Sequence, residues 1–335
     1  MDKLKARQLR KQTTTFEKSS IKSSVWQLIN TLVPFFSLWV IAYQSLSVSY
    51  VLALVISIVN AGFLVRMFII FHDCCHHSFF KNRQANKWVG TLMGVLTLFP
   101  YHQWQHSHSI HHATSGNLDK RGTGDIWVLT IDEYVQASPW LRFKYRLYRN
   151  PFVMFVLGPI YVFLIQQRFN KKGAKKKERI NTYITNLAIF SIIALLCWTI
   201  GWREFIAVQI PIFMVSGSIG IWLFYVQHQF EDTYFEHNEE WEYVKAAVEG
   251  SSFYKLPKIL QWITGNIGFH HVHHLNPRVP NYHLEAAHYH TEPLQKVPTI
   301  TLRTSLNSLK MHIWDEENKN FIGFKQVHHI IAKQK

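Results

Sequence analysis

Three stretches of this 335-residue chain carry enough imidazole to bind metal. The first is His72-Asp73-Cys74-Cys75-His76-His77. On a continuing helix His72 and His76 lie about 40° apart and share a face, while His77 lies about 140° from His72. That spacing serves one metal, or two on adjacent faces. The second stretch has His102 and His106, then His108-Ser109-Ile110-His111-His112. Its HxxHH core sets His108 and His111 on one face with His112 beside them. The third is His270-His271-Val272-His273-His274, preceded by Gly265-Asn266-Ile267-Gly268-Phe269. It repeats HxxHH as His270, His273 and His274, and His271 is expected behind the ligands rather than among them. Asn266 stands four residues before His270, so one helical turn would bring it near a metal to hold a water ligand. A lone His228 closes the run Tyr225-Val226-Gln227-His228.

Imidazole suits iron, zinc, copper and nickel. One tetrahedral zinc takes about four ligands. Eight or nine well-spaced histidines with no thiolate set therefore point to two metals. Two irons with nitrogen ligands and open positions suit the binding and reduction of O2. His102 and His106 read as surface or supporting groups, and His312, His328 and His329 as surface residues. Asp119, Asp125 and Trp127 follow the second cluster, where they can orient histidines, line an entrance or simply shape a loop. The three cysteines (Cys74, Cys75, Cys197) form no CxxC pair, and no glycine-rich phosphate loop, nucleotide fingerprint or Ser-His-Asp motif is present.

The elements that must carry these residues are membrane helices. From Trp26 to Phe71 the only charged residue is Arg66. Spans are expected at 26–44, 45–71, 183–201 and 205–226. The uncharged segments 88–101 and 151–167 are short for crossing, and Pro159 breaks the second. Lys plus Arg is 36 and Asp plus Glu is 21, a formal net charge of +15. The basic residues flank apolar runs, which reads as membrane orientation rather than nucleic-acid binding. The N-terminal segment is basic and polar, unlike a cleavable signal peptide. It and the basic stretch Arg168–Arg179 are both expected on the cytoplasmic side. Four spans then leave every His cluster and both termini cytoplasmic; a six-span arrangement is the alternative. The expected fold is an all-α integral membrane protein with about four transmembrane helices plus in-plane or re-entrant helices. A cytoplasmic His-rich cap would hold a di-metal site. The expected division is a basic segment at 1–25, a membrane domain at 26–290 and a cytoplasmic tail at 291–335.

The words HDCCHH, HSIHH and HHVHH resemble the three His boxes of membrane fatty acid desaturases. The resemblance covers roughly residues 60 to 290 in spacing, order and span placement. The surrounding words His72–Phe80, Gly116–Thr130 and Gly265–Tyr282 resemble bacterial acyl-lipid (phospholipid) desaturases of the delta-5 kind. The resemblance implies a di-iron (Fe2+), O2-dependent enzyme that puts a cis double bond into saturated acyl chains of membrane glycerolipids in the cell membrane. It carries ligand roles onto His72 and His77, with His76 a neighbour or alternate. It carries them also onto His108, His111, His112, His270, His273 and His274, with His228 as a ninth. Animal acyl-CoA members have an Asn one turn before that ninth histidine; Phe224 stands there here, and Asn266 is the substitute expected to hold water. No haem or flavin module is visible, so electrons are expected from a soluble acidic donor such as ferredoxin or flavodoxin. Related His-box proteins hydroxylate acyl chains, and haem carriers or metal transporters form a different class. The flanking words favour desaturation over the former. Clusters at span ends rather than mid-membrane disfavour the latter.

Overall fold

Apolar runs with polar caps set the long helices. The computed structural model describes residues 3–327. Helix α1 (Lys3–Thr13) leads through a 3-10 turn to α2 (Ile21–Ser45), where the Ser20 side chain accepts from Ser23 N. Ser49 caps α3 (Tyr50–Cys75) in the same way, and Asn82 caps α4 (Arg83–Leu96). Helix α5 (Tyr101–Thr114) follows a Pro100 that cannot extend α4. Strand β1 (Leu129–Thr130) runs into α6 (Ile131–Gln136), which opens on a Thr130–Glu133 capping box. Helix α7 (Pro139–Tyr148) is followed by two π-helical stretches around α8 (Gly158–Tyr161). The long α9 (Lys176–Ile200) and α10 (Trp202–His228) come next. The chain then builds α11 (Tyr243–Glu249), β2 (Phe253–Lys255), α12 (Lys258–Ile263), α13 (His270–Leu275) and α14 (Asn281–His290). Strands β3 (Thr299–Thr301), β4 (Ile313–Asp315) and β5 (Asn320–Ile322) complete it.

Four helices, α2, α3, α9 and α10, are long and apolar enough to cross a membrane. They outrun the uncharged windows because the helices continue into polar flanks, Lys176–Thr182 before α9's apolar stretch and His72–Cys75 at the end of α3. A fifth candidate is α7 with Val153–Gln166, bent by 67° between them. Packing decides its course. Asn181 Oδ1 near the start of α9 accepts from His102 N of α5 at 2.9 Å, and Glu178 pairs with His106 at 3.1 Å. The start of α9 therefore lies beside α5, where α3 and α10 end. The bent segment enters and leaves on one side, which leaves four candidate crossings.

The outer faces of these helices are apolar, as lipid requires: Val33, Val55, Phe190 and Trp198 are all exposed. The one charge between Trp26 and Phe71 faces protein. Arg66 Nε donates to Thr31 Oγ1 at 3.2 Å, its Nη1 donates to Trp262 O, and its guanidinium lies 4.1 Å from the Trp262 ring centroid. Below the site, α4 packs close to α3 and α5. A Cβ built on Gly90 would run into the Tyr101 ring and meet Cys74 Cβ at 2.9 Å.

The protein is helical as expected, with one addition. Two small sheets stiffen the cap: β1-β4-β5, and β2 parallel to β3. Strands of two or three residues leave no alternating run to read. Residues 292–327 belong to this cap rather than trailing from it: Trp314 of β4 is 1% exposed and packs on Phe235.

Candidate metal centre

Four elements converge to build the centre. The end of α3 supplies His72 and His76, α5 supplies His108, His111 and His112, the end of α10 supplies His228, and α13 supplies His270, His273 and His274. Ligand-capable nitrogens of His72, His76, His108, His112 and His273 all lie within 4.8 Å of one another. Those of His111, His228 and His274 form a second such group. His270 adjoins the second group, its Nε2 3.0 Å from His228 Nε2.

The spacing between nitrogens is informative. His273 Nε2 is 2.9 Å from His112 Nε2, His112 Nε2 is 3.1 Å from His108 Nε2, and His111 Nε2 is 3.3 Å from His228 Nε2. Two nitrogens at right angles on one ion, each about 2.1 Å from it, stand about 3.0 Å apart. The protons also point elsewhere. His111 Nδ1 lies 2.6 Å from Asp125 Oδ1, and His228 Nδ1 lies 3.1 Å from Gly250 O. Each acceptor holds its ring's N–H, so the two Nε2 lone pairs face each other and call for a cation. His76 Nε2 and His274 Nε2 are likewise buried with no hydrogen-bond partner. An all-imidazole, neutral donor set of this size fits a pair of first-row transition-metal ions.

Electrostatics keep the donors in ligand form. Burial holds His76, His108, His112, His270, His273 and His274 well below the ordinary histidine range. Neighbouring histidines push the same way, since one proton would repel the next. All six are neutral at physiological pH. His72 is set by its own neighbour: its Nδ1 is 3.1 Å from Asp73 Oδ1, while Asp73 Oδ2 accepts from Asn281 N at 2.6 Å and Asn281 Nδ2 at 2.8 Å. Asp73 so ties the first box to the start of α14. Trp104 stacks on His108 at 4.2 Å, and Phe224 lies 5.1 Å from His111. A cavity of about 20 Å³, enough for one water-sized group, is lined by His111, His228, Asp125, Phe224 and Gln229 among others.

Several expected roles are corrected by this geometry. His77 is outside the cluster. Helix α3 ends at Cys75 and His77 adopts φ 57°, a left-handed turn that swings its exposed ring toward Gln105 Nε2, 3.2 Å away. His76 takes the place beside His72. Asn266 is not one helical turn from His270, because α13 begins only at His270. Gly265 (φ 55°) and Asn266 (φ 57°) form a turn, and Asn266 Nδ2 donates to Asn281 O at 3.2 Å. His271 points away from the other α13 histidines, and its Nε2 is 3.0 Å from His288 Nδ1. His102 is buried rather than superficial, at 8% exposed. His106 stays half-exposed against Glu178. His312 stacks on Phe324 at 4.3 Å; His328 and His329 lie outside the described residues. Of the loop residues, Asp125 supports His111, Asp119 bonds His237 at 2.7 Å, and Trp127 packs on Tyr145. Asp73 and the Gly250 carbonyl were missed. The only signal for Asp73 was its place beside His72; the carbonyl left none.

A bundle of four long apolar helices whose ends carry a buried histidine centre defines a class of membrane oxidoreductase. The chain matches the fatty acid desaturase family over residues 45–302. It is 66% identical over 326 residues to a fatty acid desaturase of Bacillus subtilis, covering 97% of this chain and 93% of that protein. It is 26% identical over 282 residues to the chloroplastic omega-6 fatty acid desaturase of Spinacia oleracea (77% of this chain, 58% of that protein). It is 27% identical over 243 residues to the sn-1 acyl-lipid omega-3 desaturase (ferredoxin) of Synechocystis sp. (68% of this chain, 64% of that protein). The chain belongs to the fatty acid desaturase family, and is an oxidoreductase.

Proposed function

We propose that this desaturase works with two iron ions and O2, and introduces a cis double bond at delta-5 of saturated acyl chains in membrane glycerolipids. His72, His76, His108, His112 and His273 would hold one ion; His111, His228 and His274, with His270 adjoining, would hold the other. The observation that carries this reading is the facing pair of lone pairs on His111 and His228, whose protons are committed to Asp125 and Gly250. Iron held by these residues would supply the O2 chemistry for removing two hydrogens from adjacent methylenes.

The protein's part is positioning and exclusion of water. Asp73, Asp125 and the Gly250 carbonyl fix ring orientation. Trp104, with Phe68, Phe71 and Phe99 packed around it, forms an apolar wall beside His72 and His108. An acyl chain laid on this wall meets no competing polar group. The delta-5 position is supported by the flanking words of the boxes. A ferredoxin or flavodoxin donor is supported by the basic stretch Arg168–Arg179 near α5 and by the ferredoxin named for the Synechocystis relative. The same basic loop and the basic N-terminus favour a cytoplasmic His cap in the cell membrane.

The test is expression in a bacterial host lacking its own desaturase, with gas chromatography–mass spectrometry of the lipids and chemical mapping of double bonds. A new cis-5 monoene is the expected product, and about two irons per purified chain the expected content. A hydroxy acid would move the protein to the hydroxylase branch. Zinc or haem in place of iron would overturn the metal reading.

A further inference from the structure

The outer face of α5 carries a second built feature. His106 and Ser109 share α5 with the metal-facing His108 and His112 but point the other way, into a cavity of about 290 Å³. Lys175 and Lys177, at the start of α9, close its far side. His102, 8% exposed, and Gln105 line it as well. The one carboxylate, Glu178, is already engaged by His106 Nδ1 at 3.1 Å and by Lys175 N at 3.1 Å. The N-terminal end of the 25-residue α9 adds its partial positive charge. The cavity so combines two ammonium groups, the His106 imidazole, a hydroxyl and a helix N-terminus around a space large enough for a phosphate ester. Lys177 stands six residues before Tyr183, where the uncharged run of α9 begins, so it sits about 9 Å outside the hydrocarbon edge. That is headgroup level.

We propose that this cavity binds the phosphate of a membrane phospholipid headgroup and so presents the substrate to the metal centre. The proposal rests on the acyl-lipid desaturase reading above and names how its substrate is held. A phosphate in the cavity stands about one helix diameter, roughly 10–12 Å, from the histidines on the opposite face of α5. The lipid rounds α5 to cover that gap, so a fixed headgroup sets where along the chain the reaction falls.

The test uses the full chain in non-ionic detergent micelles with Lys175→Gln/Lys177→Gln. A charge-matched control is Lys172→Gln/Lys176→Gln, exposed lysines of the same loop that do not line the cavity. Displacement of a fluorescent phosphatidylglycerol is measured with unlabelled phosphatidylglycerol, with diacylglycerol of the same chains, and with inorganic phosphate. Phosphatidylglycerol is expected to bind, diacylglycerol to bind about tenfold or more weakly, and the cavity variant to lose about tenfold. The control variant should bind as the parent does, and a thermal melt should match the parent in both variants. His102→Gln, which keeps a donor and an acceptor, should retain binding better than His102→Leu. Equal losses in both double variants would mean diffuse charge and overturn the proposal. Displacement by inorganic phosphate as readily as by lipid would overturn the headgroup assignment. A cavity variant that binds lipid normally but needs more electron donor would make this a donor-docking surface and overturn it too. Because the readout is binding, headgroup capture without any desaturated product would reject the desaturase reading alone.

Discussion

Asp125→Asn asks how much of the metal centre depends on a residue that would touch no metal. Asp125 Oδ1 accepts from His111 Nδ1 at 2.6 Å, and the His111 side chain is 3% exposed. The amide keeps the shape, loses the charge and offers one acceptor atom in place of two. Outer partners of metal-bound histidines are worth about 10–100-fold in metal affinity or activity, which is about 1.4–2.7 kcal/mol. The short contact and the buried ring place Asp125→Asn near the upper end. Asp125→Ala removes the acceptor altogether, leaving a buried N–H that costs about 1–3 kcal/mol. The loss should be uneven. His111 belongs to the group with His228 and His274, while the five-histidine group has its own support through Asp73. The assay is anaerobic Fe2+ loading of purified protein, followed by chelator titration and iron counting, with lipid product measured in parallel. One iron per chain should be held about 10–100-fold more weakly, the other should be unchanged, and product should fall with the first. If Asp125→Ala binds both irons at parental affinity and turns over normally, the argument from ring orientation is wrong.

Four further outcomes follow from the same geometry. His76→Ala should lower bound iron and abolish product, whereas His77→Ala should keep both; the reverse, read by metal analysis, would restore the spacing-based choice. Arg66→Leu strands Thr31 and the Trp262 carbonyl and loses a stacked contact, so it should cost about 2–4 kcal/mol, and Arg66→Lys should rescue little of it. Unfolding in a denaturant series in mixed micelles reads this. The metal-free protein should lose stability as pH falls below about 6.5. There the six histidines of the centre named above stay neutral while their unfolded counterparts take protons, so each steepens the fall by at most about 1.4 kcal/mol per pH unit. Thermal melts of chelated protein between pH 7.5 and 5 check the sign, and a flat profile would contradict it. Gly90→Ala should cost about 1–3 kcal/mol by forcing α4 off Tyr101 and Cys74, seen as a lowered melting temperature.

The sequence announced its spans through long runs without charge, and its centre through histidines at helical spacing. Those signals are local, so they survive without coordinates. What it hid depends on where helices stop and what packs on them from afar. His76 and His77 differ only because α3 ends at Cys75, and nothing in HDCCHH marks that end. Asn266 follows a glycine with positive φ, and helical spacing holds no meaning across such a turn. His102 is buried by the start of α9, some eighty positions on, a contact no window of residues contains. The Gly250 carbonyl that fixes His228 has no side chain to notice. Strands β1 to β5 are too short to print an alternating pattern.

The donors lie along the chain in a particular order. His72 comes at the end of the second crossing and His228 at the end of the fourth, and His273 and His274 follow only after the last crossing is complete. A ribosome therefore finishes every membrane span before either group of histidines is whole. Insertion must precede metal capture during synthesis, and a product cut short after α10 would sit in the bilayer with a third of its donors missing. Ions held there would also join α3, α5, α10 and α13, so loading would be the last seam sewn in a protein whose membrane part is already in place.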